Sequence, residues 1–517
     1  MLLRTRKRFI EPRLPLRAVF LSIGAGRPAS RLGGSMLSCD VSDKKLRWLK
    51  SIRRMRTFVA TYAPPFVLFM APALINGFPL MFEGDSGGYL AHGILRDHAP
   101  VRPIYYCYFL FALHWCVTLW PPIAAQSAIT VAVLAIFLRR NLAALAPLNL
   151  ALQLCALAGL TSLSVLASEI MPDIFTPLMI LSLCVLIFRP SDIAWERVFL
   201  YAVTLAALCF HVSNFLIALL MFVFAVLFRL LVDRAWHQAI RPFTGPVSLL
   251  ALAIGLLLLP TYVMYHQLAI TRGSGIFLLA KLLDDGPGLD YLEAKCPVQN
   301  YSICSQLREI RHQKEMLASL QTQEATSDYF LWRGPLKAAG SWDGLAPYAG
   351  SIAVASILYE PGTFIQASLA SFGQQLVRFA TGDGLGIHGP GSNIRSVLKD
   401  YFADNVSSAY LGSRQETGRL DWTIISYVHK VSVEIGLFVI VILLPGAFRA
   451  DRALGGSICM LLVAVVANAA VTGALSAVHD RYQSRVVGLI VVAAMVLAYA
   501  RFSSAVKTRV SEPALAA

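Results

Sequence analysis

The sequence predicts an all-α polytopic membrane protein, and three observations carry that prediction. Only 15% of its 517 residues are charged while 56% are hydrophobic, whereas a soluble chain is about a quarter charged. Mean hydropathy is +0.61. The apolar residues gather in runs of about 17 to 23, the length that crosses a bilayer as helix. Inside lipid the backbone must satisfy its own hydrogen bonds, and runs of this length do so as helices.

The first element in chain order is a basic segment, 1–56. It holds 15 Lys and Arg against Glu11, Asp40 and Asp43, so 12 of the chain's +15 net charges precede the first span. Such a flank directs topology and sits on anionic lipid. Without interleaved aromatic residues it does not read as a nucleic-acid arm. Residues 1–35, mixed in Pro, Gly and Arg, have the composition of a disordered leader, and Met36 is an alternative start. Leu14–Gly26 is too short and interrupted for a signal peptide.

Ten spans follow, at 57–79, 121–138, 149–167, 174–188, 198–213, 215–231, 245–265, 428–448, 455–475 and 486–502. The linkers holding Arg139-Arg140, Arg189, Arg197, Arg229, Arg234, Arg241, Arg449, Arg452 and Arg501 all fall on one side. The bias of Lys and Arg toward the cytoplasm places that side, both termini and the 503–517 tail there. The expectation is a multi-pass protein of a bacterial inner membrane. Segment 104–120 is apolar enough to span, yet counting it would invert everything after it. Its crowd of aromatics suits a juxtamembrane helix lying in the interface. These assignments leave an N-terminal bundle, 57–265, with an exterior loop at 80–103, and C-terminal helices at 428–502. Between them lies an exterior, periplasmic and largely helical segment, 266–427, big enough for a core of its own. In it Cys296 and Cys304 share a polar loop. A disulfide is expected there if the loop is exterior, with two free thiols as the alternative.

The chemistry-bearing residues gather in four exterior turns. The first carries Glu83 and Asp85 in a glycine-rich turn, followed by Arg102. The second is Ser168–Asp173, with Glu169 and Asp173; the third is the turn at His211; the fourth is His479–Arg485, with Arg481, Tyr482 and Arg485. Turn and helix capping explains acids at a membrane exit equally well. Two arginines on the side where positive charge is disfavoured point instead to an anionic partner, either those acids or a lipid phosphate. No P-loop, dinucleotide fingerprint or Cys-x-x-Cys is present, and the histidines lack metal-ligand spacing.

The acid-x-acid motif of the first loop, the aromatic-rich helix after Arg102-Pro103 and Arg139-Arg140 closing the next span resemble the C-type integral-membrane glycosyltransferases. Asp173 and Arg481-Tyr482 look like further positions that those enzymes use. The group includes the protein O-mannosyltransferases and aminoarabinose transferases, which take sugars from polyprenyl phosphates. The resemblance implies inverting hexosyl or pentosyl transfer, with a polyprenyl-phosphate sugar and membrane lipid as partners and no nucleic acid. Asp85 would be the general base, with Glu83 tuning it or holding a divalent cation with it. Arg481, Arg485 and Arg102 would bind the donor phosphate. The chain departs from that group in placing its long segment between the seventh and eighth spans. Two other classes stand beside this one: a transporter or flippase of lipid-linked or anionic substrates, and a non-catalytic assembly protein. Donor sugar, acceptor and oligomeric state are not legible.

Overall fold

The computed structural model describes residues 37–97, 101–142, 145–233, 243–266, 268–320 and 325–511. The chain divides into two compact units, Met1–Arg56 and Thr57–Ala517. The described part of the first unit is the leading half of helix α1 (Leu37–Asn76), where Trp48, Leu49 and Met55 are exposed. All described elements are helices. Seven are long and apolar enough to cross a membrane: Trp48–Asn76, Trp120–Asn141, Ser213–Val232, Thr244–Tyr265, Thr423–Ala450, Arg452–Leu475 and Asp480–Ser503.

Three expected spans form shorter helices than these seven. Helix α5 (Pro147–Leu160) and α7 (Phe175–Phe188) have 14 residues each and α8 (Ala194–Phe210) has 17. Fourteen residues of helix rise only about 21 Å against a hydrocarbon core of about 30 Å. The expected span 149–167 is two pieces, α5 and the short α6 (Leu163–Ala167). Hydroxyls cause the break. Thr161 Oγ1 donates to the Leu157 carbonyl at 2.6 Å, Ser164 Oγ to the Ala158 carbonyl at 2.7 Å and Ser162 Oγ to the Ser484 carbonyl at 2.5 Å. Side chains of this kind offer the backbone a competing partner and interrupt a helix.

Every residue of α7 is buried. A helix apolar on all sides belongs at the centre, and here it packs on α8, on α4 (Trp120–Asn141), and on α21 (Arg452–Leu475). Helices α9 (Ser213–Asp233) and α22 (Asp480–Ser511) also touch it, α10 (Thr244–Tyr265) packs on α8, and α20 (Thr423–Ala450) packs on α21 and α22. Within segment 104–120 the chain forms helix α3 (Ile104–His114), which stops short of the expected end where Trp115 and Cys116 take positive φ of 45° and 59°.

The long segment between the bundles is helical and holds a second core. Helices α11 (Ser274–Asp285), α12 (Pro287–Lys295), α13 (Leu307–Ser319), α14 (Thr326–Trp332), α15 (Pro335–Ala338) and α16 (Ser341–Tyr359) enclose Ile276, Leu283, Phe330 and Ile352. Cys296 and Cys304 are joined by a disulfide. Helix α17 (Pro361–Val377) then lies along α21, so close that a Cβ on Gly473 would meet the Ser371 carbonyl at 2.8 Å. Helices α18 (Asn393–Tyr401) and α19 (Asp404–Leu411) complete it, α18 against α2 (Glu83–Leu95).

Candidate active site at one end of the bundle

The glycine-rich turn expected at Glu83–Asp85 is the first turn of helix α2. Asp85 therefore sits where the helix dipole favours an anion. The Glu83 side chain lies outside the described residues. Upstream, the Leu80 N–H donates to the Ser168 carbonyl and the Ile170 N–H to the Leu80 carbonyl, each at 2.9 Å. This two-bond parallel bridge fastens the first loop to the second. Ser86 Oγ adds a bond to the Ile170 carbonyl at 3.0 Å.

Asp85 lies between two guanidiniums. Arg102 Nη2 donates to Oδ1 at 2.7 Å and Arg102 Nη1 to the Asp85 carbonyl at 2.7 Å. Arg481 Nη1 donates to Oδ2 at 3.2 Å. Helix α2 carries glycine where Arg102 approaches, since a Cβ on Gly88 would lie 2.4 Å from Nη1. Burial would raise the Asp85 carboxyl, but Arg102 and Arg481 outweigh it and hold it below its usual range. Arg481 also lies 4.2 Å from the Phe82 ring centroid and 4.9 Å from that of Tyr482. Both are cation–π distances.

One turn along α22, Arg485 has no exposed surface. Nε and Nη2 donate to Asn468 Oδ1 at 3.0 and 2.9 Å, Nη1 faces Asp173 Oδ1 at 3.4 Å, and Nη2 reaches Ser213 Oγ at 3.0 Å. His211 Nε2 lies 3.3 Å from Nη1 and His211 Nδ1 2.9 Å from Ser213 Oγ.

The two ion pairs flank a cleft lined by Phe82, Glu169, Asp173, Thr381, Gly382, Asp383 and Arg481, with about 20 Å³ of internal space. That is room for about one water. Glu169 is 7% exposed, and no described group donates a hydrogen bond to its carboxylate. Burial, with Asp173 and Asp383 adding repulsion, pushes it well above the usual carboxylate range despite Arg481. Asp383 Oδ2 accepts the Arg481 N–H at 3.0 Å, capping the first turn of α22 from a distant loop. Among the described residues no three His, Cys, Asp or Glu side chains could hold a metal ion.

The structure thus joins Asp85, Arg102, Glu169, Asp173, His211, Arg481, Tyr482 and Arg485 in one constellation. Tyr482 supplies a ring beside both arginines and a hydroxyl 3.4 Å from Arg481 Nη2. Arg485 spends its N–H groups inside the bundle, so it braces Asp173 and His211. Asp383 and Asn468 were missed. Gly382-Asp383-Gly384 repeats the acid-among-glycines pattern of Gly84-Asp85-Ser86-Gly87, a signal that could have found the first of them.

The chain matches no family model, no curated protein and no solved structure. Its functional reading rests on the geometry of the cleft.

Proposed function

We propose that this chain is a membrane glycosyltransferase resembling the C-type enzymes, moving a sugar from a polyprenyl-phosphate donor to an acceptor hydroxyl at the cleft. One observation carries the reading: Asp85, Asp173 and Arg481, brought from three distant parts of the chain, meet at one end of the helical bundle. Asp85 accepts the acceptor's hydroxyl proton while the acceptor oxygen bonds to the anomeric carbon. The bond from that carbon to the phosphate oxygen breaks, and the polyprenyl phosphate leaves as an anion facing Arg481.

Sharing Arg481 couples binding to basicity. Without donor, two guanidiniums hold Asp85 ionised but weakly basic. A donor phosphate that draws Arg481 away leaves Arg102 alone on Asp85 and raises its proton affinity. With space for about one water, the cleft admits a sugar only when Phe82 and the Ala380–Asp383 stretch part.

The test is Asp85→Asn in reconstituted vesicles supplied with polyprenyl-phosphate sugars. Loss of a general base predicts about 10²–10⁴-fold slower transfer with expression intact, and full activity in that variant removes Asp85 from the role. A flippase of lipid-linked anions is a second reading, favoured by the broken α5–α6 helix and the buried Arg485. Donor movement across vesicles without sugar transfer would select it.

A further inference from the structure

Leu80 and Met81 lie as a strand lies between two neighbours. On one edge Leu80 exchanges backbone hydrogen bonds with Ser168 and Ile170, both at 2.9 Å. On the other edge the side-chain amide of Gln415 takes the neighbour's place. Its Oε1 accepts the Met81 N–H at 3.1 Å, and its Nε2 donates to the Met81 carbonyl at 2.6 Å and to the Gly386 carbonyl at 3.3 Å. Its polarity is fixed, because the Met81 N–H needs an acceptor and the Met81 carbonyl a donor. Gln415 is 2% exposed, so an orphaned Met81 would be costly.

The amide is anchored from behind. Gln415 N–H donates to Asn76 Oδ1 at 2.8 Å and Arg414 N–H to the Asn76 carbonyl at 3.0 Å. Glu416 follows in a buried knot, taking Tyr410 Oη at 2.7 Å, His388 Nδ1 at 2.9 Å and Arg395 Nη2 at 2.5 Å. The same segment reaches the helix that bears Asp85, where Asn393 Nδ2 donates to the Gly84 carbonyl at 2.7 Å.

From this geometry we infer that Gln415 is a positioning residue: by standing in for a β-strand neighbour of Met81 it sets where Asp85 stands relative to Arg481 and the cleft. The inference rests on the catalytic reading of Asp85 given above. It assigns the 384–416 stretch a task in the reaction, although none of its polar contacts named here touches the acids and arginines of the cleft. Displacing a reacting group by about 1 Å costs on the order of 10²-fold in rate, so a loosened Leu80–Met81 would act at a distance.

The experiment compares the full-length protein with Gln415→Glu, which keeps the shape but loses the donor, and with Gln415→Ala, which buries no new charge. Hydrogen exchange in peptides covering 77–90 and sugar transfer from a polyprenyl-phosphate donor are both read. The expected result is local: about tenfold or more faster exchange in 77–90, unchanged exchange in the α11–α16 core, and kcat down about 10²-fold with donor KM little changed. Unchanged exchange in 77–90, exchange raised throughout the chain, or a raised KM with intact kcat each overturns it. If Gln415→Glu does not fold, Gln415→Ala decides by the same criteria. If the wild type transfers no sugar while exchange rises only in 77–90, the hold on the first loop stands and the catalytic reading fails.

Discussion

Glu169 and Asp85 are carboxyl groups of one site whose surroundings push their proton affinities in opposite directions. Asp85 has two guanidiniums within hydrogen-bonding distance. Glu169 has no donor among the described residues and faces Asp173 and Asp383. A carboxyl whose folded-state pKa is raised stabilises the fold below the usual Glu range and loses that contribution as pH climbs toward the folded value. Gln mimics the protonated form without titrating. The melting temperature of Glu169→Gln should therefore exceed that of the wild type by a margin that grows from pH 4 to pH 8. A margin independent of pH in thermal denaturation would mean that Glu169 is ionised in the cleft.

At the scale of elements, helix α2 is built around close approaches. A Cβ on Gly87 would lie 2.8 Å from the Ile394 backbone nitrogen, whereas one on Gly88 would meet the Arg102 guanidinium at 2.4 Å. Alanine favours a helix interior over glycine by about 0.5–1 kcal/mol, so steric surroundings decide each outcome. Backbone cannot step aside, and Gly87→Ala should lower the melting temperature by prising α18 from α2. A guanidinium can swing away. Gly88→Ala should keep its melting temperature within a few degrees yet lose about tenfold or more of its transfer rate, as Arg102 leaves Asp85. Equal stability losses in the two variants would contradict this division.

Across the whole molecule, the long segment between α10 and α20 serves two ends. Its α11–α16 part makes a core of its own, and its 378–416 stretch returns to the site through Asp383, Asn393 and Gln415. The Cys296–Cys304 disulfide lies in the first part. If the segment is exterior, an impermeant maleimide added to intact spheroplasts should label these cysteines only after reduction. Labelling that requires opened membranes would reverse the topology and move the candidate site to the cytoplasmic side.

Membrane character and helical class were legible from residue counts and run lengths alone, because transfer into lipid is additive over a helix and leaves its mark in composition. The site residues were legible as types: acids and arginines at the ends of apolar runs, where charge is costly and must have a partner. What the local pattern hid was the pairing. That Arg481 meets Asp85 while Arg485, four residues on, turns inward to Asp173 follows from where the fold sets the first turn of α2, the turn before α7 and the start of α22, not from any spacing. The break at Thr161–Ser162 and the first turn of α2 at Glu83 likewise depend on partners more than 80 residues away, Ser484 and Ile170. Gln415 escaped notice for the same reason: a buried amide is an ordinary polar residue in sequence, and only the folded chain places the Met81 backbone opposite it.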